Sequence, residues 1–156
     1  MKRKQTGFSL IELLIVIAII LVIAAIAIPN LMASRMAANE SSAVQETRAI
    51  TTAEVVYTTQ YNIGYSAQLT NLGDGAAINS TTAGLIDSVL AAGVKTGYSF
   101  VYAPLNQDGA GHYQSFTLNA NPLQPGGSGR KYFFTDQTGV IRFSLTAPAI
   151  AADPAI

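Results

Sequence analysis

Hydrophobic residues crowd one end of this chain and alternate with polar ones near the other. From Leu13 to Ser34 no charged residue occurs over 22 positions, more than the ~20 residues an α-helix needs to cross a bilayer core of ~30 Å. No glycine interrupts Phe8 to Asn62, and Pro29 is the only proline in that stretch. The pattern predicts one long helix over roughly residues 8–60, ~80 Å at 1.5 Å per residue. Pro29 removes the amide that would bond the carbonyl of Ala25, so the helix is expected to bend or loosen there. In the second half Met36, Ala43, Ile50 and Tyr57 recur at a seven-residue spacing, flanked by Ala33, Ala53 and Tyr61. Arg35, Glu40, Glu46 and Arg48 lie largely off that stripe. Such a face needs a core to pack on, and its hydrophobes are too sparse for a free-standing coiled coil.

Residues 62–96 read as a polar connection punctuated by Gly64, Gly73, Gly75, Gly84 and Gly93. Within it Leu85, Ile86, Val89 and Leu90 have helical spacing, with Thr81 or Thr82 as the expected cap and Gly93 as the stop. Four strand-like runs follow over 97–145. Gly97–Ala103 alternates on Tyr98, Phe100 and Tyr102, and His112–Ala120 alternates with Phe116 and Leu118. Lys131–Thr135 and Val140–Leu145 flank Asp136-Gln137-Thr138-Gly139, whose glycine can take a positive φ. Asp108-Gly109 marks the turn joining the first pair. Hairpin-joined strands give an antiparallel sheet with one face on the long helix. Asn121 to Gly129 is a loop, and the tail 146–156 reads as loosely held. The fold class is thus α+β: a long helix, half apolar and half amphipathic, packed on a four-stranded antiparallel sheet.

Charge sharpens the picture of the apolar run. Glu12 sits just inside one end of it, where a carboxylate is costly to bury and marks a functional-site hypothesis. Between Leu13 and Ile28 stand twelve Leu, Ile or Val residues, which favour membrane insertion by about 4–7 kcal/mol. An acid at mid-membrane costs roughly 2.5–3.5 kcal/mol and less near an interface. The helix inserts even with Glu12 unpaired. Lys2, Arg3 and Lys4 precede the run and leave six basic against nine acidic residues in the remainder. By the positive-inside rule the N-terminus stays cytoplasmic and the C-terminal part is translocated. No basic patch supports nucleic-acid binding. There is no cysteine, so an exported domain holds its shape without a disulfide and thiolate chemistry is excluded. A cleaved secretory signal ending at Ala25-Ile26-Ala27 and a plain uncleaved anchor are the competing readings of this segment; Glu12 and the length of the run argue against the first.

The string KQTGFSLIELLIVIAIILVIAAIAIP resembles a type IV prepilin N-terminus, with type II secretion pseudopilins as close relatives. The resemblance covers roughly residues 2–31, about a fifth of the chain. It rests on the short basic leader, the Gly7-Phe8 junction, Glu12 five residues into the mature chain, and Pro29. It implies a leader of residues 1–7 cut after Gly7 by a membrane prepilin peptidase, with N-methylation of Phe8. It further implies a transmembrane and assembly half over 8–34, and a globular pilin domain over 35–156. Glu12, the new Phe8 amine and Pro29 would act in assembly, and the region near Pro29 can unwind in filaments of such proteins. Cleavage would create an amine one helical turn from Glu12, so an i,i+4 pair within the chain is geometrically possible. The same amine could meet Glu12 of a neighbouring subunit, which is the pairing the family implies during assembly. SGRKYFFTDQTGVIR is also similar to the sheet of some bacterial pilins.

Catalytic chemistry finds no support. His112, beside Tyr113, lacks any surrounding nucleophile motif and reads as an edge-of-sheet residue. Asn106, Asp108 and Asp136 could offer oxygens to calcium, but their spacing matches no EF-hand loop and ordinary turn chemistry explains them. Gly126-Gly127-Ser128-Gly129-Arg130-Lys131 lacks the phosphate-loop spacing and reads as a flexible turn. No metal, cofactor or enzymatic activity is expected. The resemblance implies a structural subunit of a helical homo-oligomeric filament, with prepilin peptidase, the inner-membrane pilus or secretion machinery and the membrane as partners. The chain would begin as a single-pass inner-membrane protein. It would end at the cell surface as a pilus, or in the periplasm as a pseudopilin. A membrane-anchored binding domain is the alternative of another class.

Overall fold

A computed structural model describes residues 7–156. The basic residues Lys2, Arg3 and Lys4, and the rest of the expected leader before Gly7, lie outside the described residues. The chain divides into two compact units, one ending at Arg35 and the other running Met36–Ile156. One helix, α1 (Leu10–Tyr61, 52 residues), contributes to both. Its length follows from the uninterrupted run of helix-compatible residues. Its end follows from Asn62, which takes the left-handed conformation at φ 54 and donates its amide to the carbonyl of Thr58 at 3.0 Å, an Asn stop of the αL type.

In the unit Met36–Ile156 the seven-residue stripe is the buried face. Met36, Ala43, Ile50 and Tyr57 are buried, as are Thr47, Ala53 and Glu54 between them. Tyr61 is half-buried, and Ala33 is exposed. Ala43, Ile50, Ala53 and Tyr57 share a core with Leu72, Leu90, Tyr98, Phe100, Phe116, Leu118 and Phe133. The aromatic rings add specific contacts: Phe116 lies 4.9 Å from Tyr65 and 5.5 Å from Tyr102 between centroids, in the range where ring pairs attract.

The sheet has five strands, not four: β1 (Val94–Lys95), β2 (Tyr98–Gln107), β3 (Tyr113–Pro122), β4 (Tyr132–Asp136) and β5 (Arg142–Ser144), in that spatial order and antiparallel throughout. The four predicted strands are present. The extra one is two residues long and pairs Lys95 with Tyr98 across Thr96-Gly97, both at positive φ (49 and 76), as tight two-residue hairpins require. Gly139 takes φ 73 in the β4–β5 turn, as its place in that turn predicts.

Three expectations are corrected. The short helix in the connection is a single turn, α2 (Ser88–Ala91), capped by Asp87 and not by Thr81 or Thr82: the Asp87 carboxylate accepts the Leu90 amide at 3.0 Å. Leu85 and Ile86 lie before it, their amides bonded to the carbonyl of Leu72, while Gly93 does stop the turn, at φ 80. The glycine-rich turn after β3 is pinned to α1, because Asn39 donates to the Ser128 carbonyl at 2.8 Å and Glu40 accepts the Arg130 amide at 2.8 Å. The tail is docked and not loose. Phe143 donates its amide to the Pro154 carbonyl (3.0 Å), Ile156 donates to Ile141 (3.1 Å), and Asn119 donates to the Ala149 carbonyl (2.8 Å). Ala149 and Phe134 are thereby buried apart from the main core, and the open edge of β5 is covered, which protects a sheet from edge-to-edge pairing.

Candidate functional site

The chemistry singled out in the sequence gathers at the start of α1. Gly7, Phe8 and Ser9 are non-helical and exposed, with Phe8 77% exposed. The Gly7–Phe8 peptide bond therefore lies in open backbone ahead of the helix, a geometry that a protease can engage without unwinding a turn. Helix α1 begins at Leu10. Phe8 is off the helix, so the i,i+4 helical pairing of Phe8 with Glu12 is not the arrangement present in this chain.

Glu12 is instead engaged locally. Its Oε2 accepts the amide of Ser9 at 2.9 Å and the Ser9 carbonyl accepts the Leu13 amide at 3.2 Å, so Ser9 stands at the N-cap and Glu12, at N3, supplies the carboxylate arm of a capping box. The Ser9-Leu10-Ile11-Glu12 string carries this S-x-x-E signal in the sequence itself. The carboxylate also sits at the positive end of the helix dipole. Only one of its oxygens is taken up by the cap, and a carboxylate accepts at both, so capacity for a cation is retained.

Pro29 lies inside α1, and the helix continues through it. The missing amide leaves the Ala25 carbonyl without its helical donor. Just beyond, the Asn30 side-chain amide donates to the Ile26 carbonyl at 3.1 Å and the Ser34 hydroxyl donates to the Asn30 carbonyl at 2.9 Å. Side chains that bond carbonyls a turn back compete with the backbone ladder. Ala25–Ser34 thus combines a missing ladder donor with two side chains bonded a turn back, without a break in the helix.

Between these positions the helix carries apolar side chains with nothing of the protein over them. The large apolar residues from Leu10 to Met32 are 47% to 78% exposed. Among the described residues this is one helix long and apolar enough to cross a membrane.

The other candidates are occupied in turns. Asp108 accepts the amides of Ala110 and His112, both at 2.9 Å, and His112 Nδ1 stands 3.6 Å from its second oxygen. Those bonds to His112 and Ala110 hold the Asp108 carboxyl below its ordinary value. Asn106 donates to the Ser115 hydroxyl at 2.6 Å, and Asp136 accepts from the Thr138 amide at 2.8 Å and hydroxyl at 2.6 Å. Among the described residues no group of three His, Cys, Asp or Glu side chains is placed to hold a metal ion.

A family model matches this same segment. The prokaryotic N-terminal methylation motif matches residues 2–28. The chain is similar to the type IV wide pilus major component PilA4 of Thermus thermophilus, 62% identical over 39 residues, 25% of this chain and 30% of that protein. It is also similar to the type II secretion system core protein G of Aeromonas hydrophila, 34% identical over 82 residues, 53% of this chain and 55% of that protein. The core protein G of Vibrio cholerae is 36% identical over 55 residues, 35% of this chain and 38% of that protein. The matches thus span about half or less of the length of these curated relatives. No solved structure matches. The chain thus carries the prokaryotic N-terminal methylation motif and is similar, over part of its length, to a type IV pilus component and to type II secretion core proteins G.

Proposed function

We propose that this chain is a structural subunit of a type IV pilus-like helical filament, made as an inner-membrane precursor, cut between Gly7 and Phe8, N-methylated at Phe8 and assembled through its apolar helix. The observation that carries the reading is the juxtaposition at the start of α1. An exposed, non-helical Gly7–Phe8 bond stands directly ahead of a membrane-length apolar stretch of helix whose acid, Glu12, has an acceptor to spare. Cutting that bond places a new α-amino cation beside a carboxylate. In a low-dielectric bundle each of the two charges needs a partner, and a neighbouring subunit's Glu12 supplies one for the amine. Residues 35–156 would form the globular pilin domain carried on that helix, facing away from the cytoplasm. Prepilin peptidase and the inner-membrane assembly machinery are the partners this reading requires.

The similarity to core protein G over 82 residues, well beyond the methylation motif at residues 2–28, favours a second reading: a pseudopilin forming a short periplasmic filament for secretion. Two measurements test the proposal together. Intact mass of native protein should correspond to N-methyl-Phe8 as first residue. Electron microscopy of the producing cells should show long surface fibres containing the chain for a pilus, and none for a pseudopilin. Native protein that begins at Met1 and stays monomeric refutes both readings.

A further inference from the structure

Glu54 is an acid in the wrong place for a helix surface residue. It is 0% exposed, on the buried face of α1 between Ile50 and Tyr57. No Lys, Arg or His side chain among the described residues stands within 4.0 Å of it. The titratable groups facing it are Tyr57 from α1 and Tyr102 from β2, each a hydroxyl with a carbonyl partner of its own, and Tyr102 also reaches Glu54. Tyr57 donates to the Ser80 carbonyl at 2.7 Å, and Tyr102 donates to the Ser66 carbonyl at 3.0 Å. Both hydroxyls are pushed up by burial and by the Glu54 charge, so neither ionises in its place. A buried carboxylate with no cation is expensive to keep charged.

What faces Glu54 in the connection after α1 is Ser66. Its amide lies 3.0 Å from Glu54 Oε2, its hydroxyl 2.5 Å from Oε1, and the same hydroxyl 3.2 Å from the Gln68 carbonyl. A hydroxyl has one proton and two acceptor sites, and its proton rotates to suit its neighbours. With Glu54 ionised, the Ser66 hydroxyl donates to Oε1. With Glu54 neutral, the carboxyl donates to Ser66 Oγ and the hydroxyl proton turns to Gln68. Both arrangements satisfy the polar atoms without moving a backbone atom.

We propose that Glu54 is a proton-operated latch between α1 and the connection that follows it, with the neutral arrangement the one the folded core favours. Burial pushes the Glu54 carboxyl up, and the Ser66 hydroxyl and amide, with a hydrogen bond from Tyr102, only partly oppose that. The sign follows. The unfolded chain gives up this proton near its ordinary value of 4.5 while the folded unit still holds it, so stability is full below 4.5 and is lost as pH rises through the folded value. Within that window the folding equilibrium falls by at most tenfold per pH unit on account of this residue. The unit is hardened by acid, opposite to the usual salt-bridged carboxylate.

The test uses the full chain in detergent micelles. The carboxyl carbon shift of Glu54, followed in labelled wild-type protein, should titrate above the ordinary ~4.3 of glutamate. Denaturant midpoints from about pH 5 to about pH 9, a range above ordinary glutamate titration, should fall for the wild type relative to E54Q, whose amide imitates the neutral carboxyl; other titrations are common to both and cancel. A Glu54 carbon titrating at or below 4.5, or wild-type and E54Q midpoints that run parallel, overturns the latch. If E54Q does not fold, the wild-type carbon titration decides alone.

Discussion

Glu12 has two jobs that can be separated by substitution: it accepts the Ser9 amide at 2.9 Å, and it carries a charge at the edge of the apolar run. Losing a helix cap costs about 1 kcal/mol, confined to the first turn. That loss cannot unmake a helix of 52 residues. Nor can it prevent insertion, since twelve Leu, Ile or Val residues between Leu13 and Ile28 favour the bilayer by about 4–7 kcal/mol and removing an acid adds to that total. Glu12→Gln keeps an acceptor for the Ser9 amide and deletes the charge. Glu12→Ala deletes both. Ser9→Pro deletes the amide donor and leaves the charge. Under the filament reading, Glu12→Gln and Glu12→Ala should both be processed and membrane-inserted yet yield few or no sheared filaments. Ser9→Pro, wherever its mature mass shows cleavage, should still assemble. The assay is mature mass, membrane fractionation and filament yield on the same cultures. Normal filaments from Glu12→Gln refute the charge role, and loss of filaments in cleaved Ser9→Pro assigns the defect to the cap.

Gly7→Ala should insert normally and accumulate as uncut precursor; an unchanged mature mass shows that Gly7 is dispensable. Phe116→Ala removes a fully buried ring that touches Tyr65 and Tyr102 and should lower the stability of the globular unit by about 3–5 kcal/mol, read from denaturant midpoints. Asn119→Ala removes the donor to the Ala149 carbonyl and should cost about 1 kcal/mol. Limited proteolysis should then clip the tail after Ser144 faster than in the wild type, and an unchanged rate refutes the docking of Ala149.

Regular periodicity made the long helix legible. Met36, Ala43, Ile50 and Tyr57 repeat at the helical period, and all four are buried. Strands β2 and β3 were equally plain, because Tyr98 and Phe100, or Phe116 and Leu118, alternate in type and in burial, while β4 and β5 do not alternate and were legible from the turn Asp136–Gly139 between them. Val94–Lys95 is too short to alternate, and its pairing rests on positive φ at Thr96 and Gly97, where threonine gives no turn signal. Leu85 and Ile86 imitated helical spacing because they bury from an irregular segment; their backbone bonds to Leu72 are long-range and leave no local mark. The tail misled for the same reason, since Pro154 and Ile156 pair with Phe143 and Ile141 through a turn closed by Asp153 and Ile150. At the candidate site the acid at position 12 was legible as a charge in an apolar run. Its bond to the Ser9 amide was hidden, because a charge in an apolar run draws attention to distant cations and away from the backbone beside it. Glu54 was hidden differently: an acid reads as solvent-facing unless its partner is seen, and Ser66 is twelve residues away.

Magnitudes also divide the work within the apolar helix. Sixteen large apolar side chains from Leu10 to Met32 lie open, and covering each fully is worth about 1.5–3 kcal/mol, so leaving the segment in water would cost on the order of tens of kcal/mol. Lipid or neighbouring helices must therefore cover it at every stage. That cover is non-directional: a lipid tail and a leucine satisfy the surface alike, so apolar area cannot choose one register of neighbours over another. A charge can, because an ion pair in a low-dielectric bundle forms at one offset and leaves two costly unpaired charges at every other. Under the filament reading, adhesion and register are thus supplied by different residues, and substituting Glu12 should remove the register, and with it ordered filaments, while leaving intact the demand that the helices be covered.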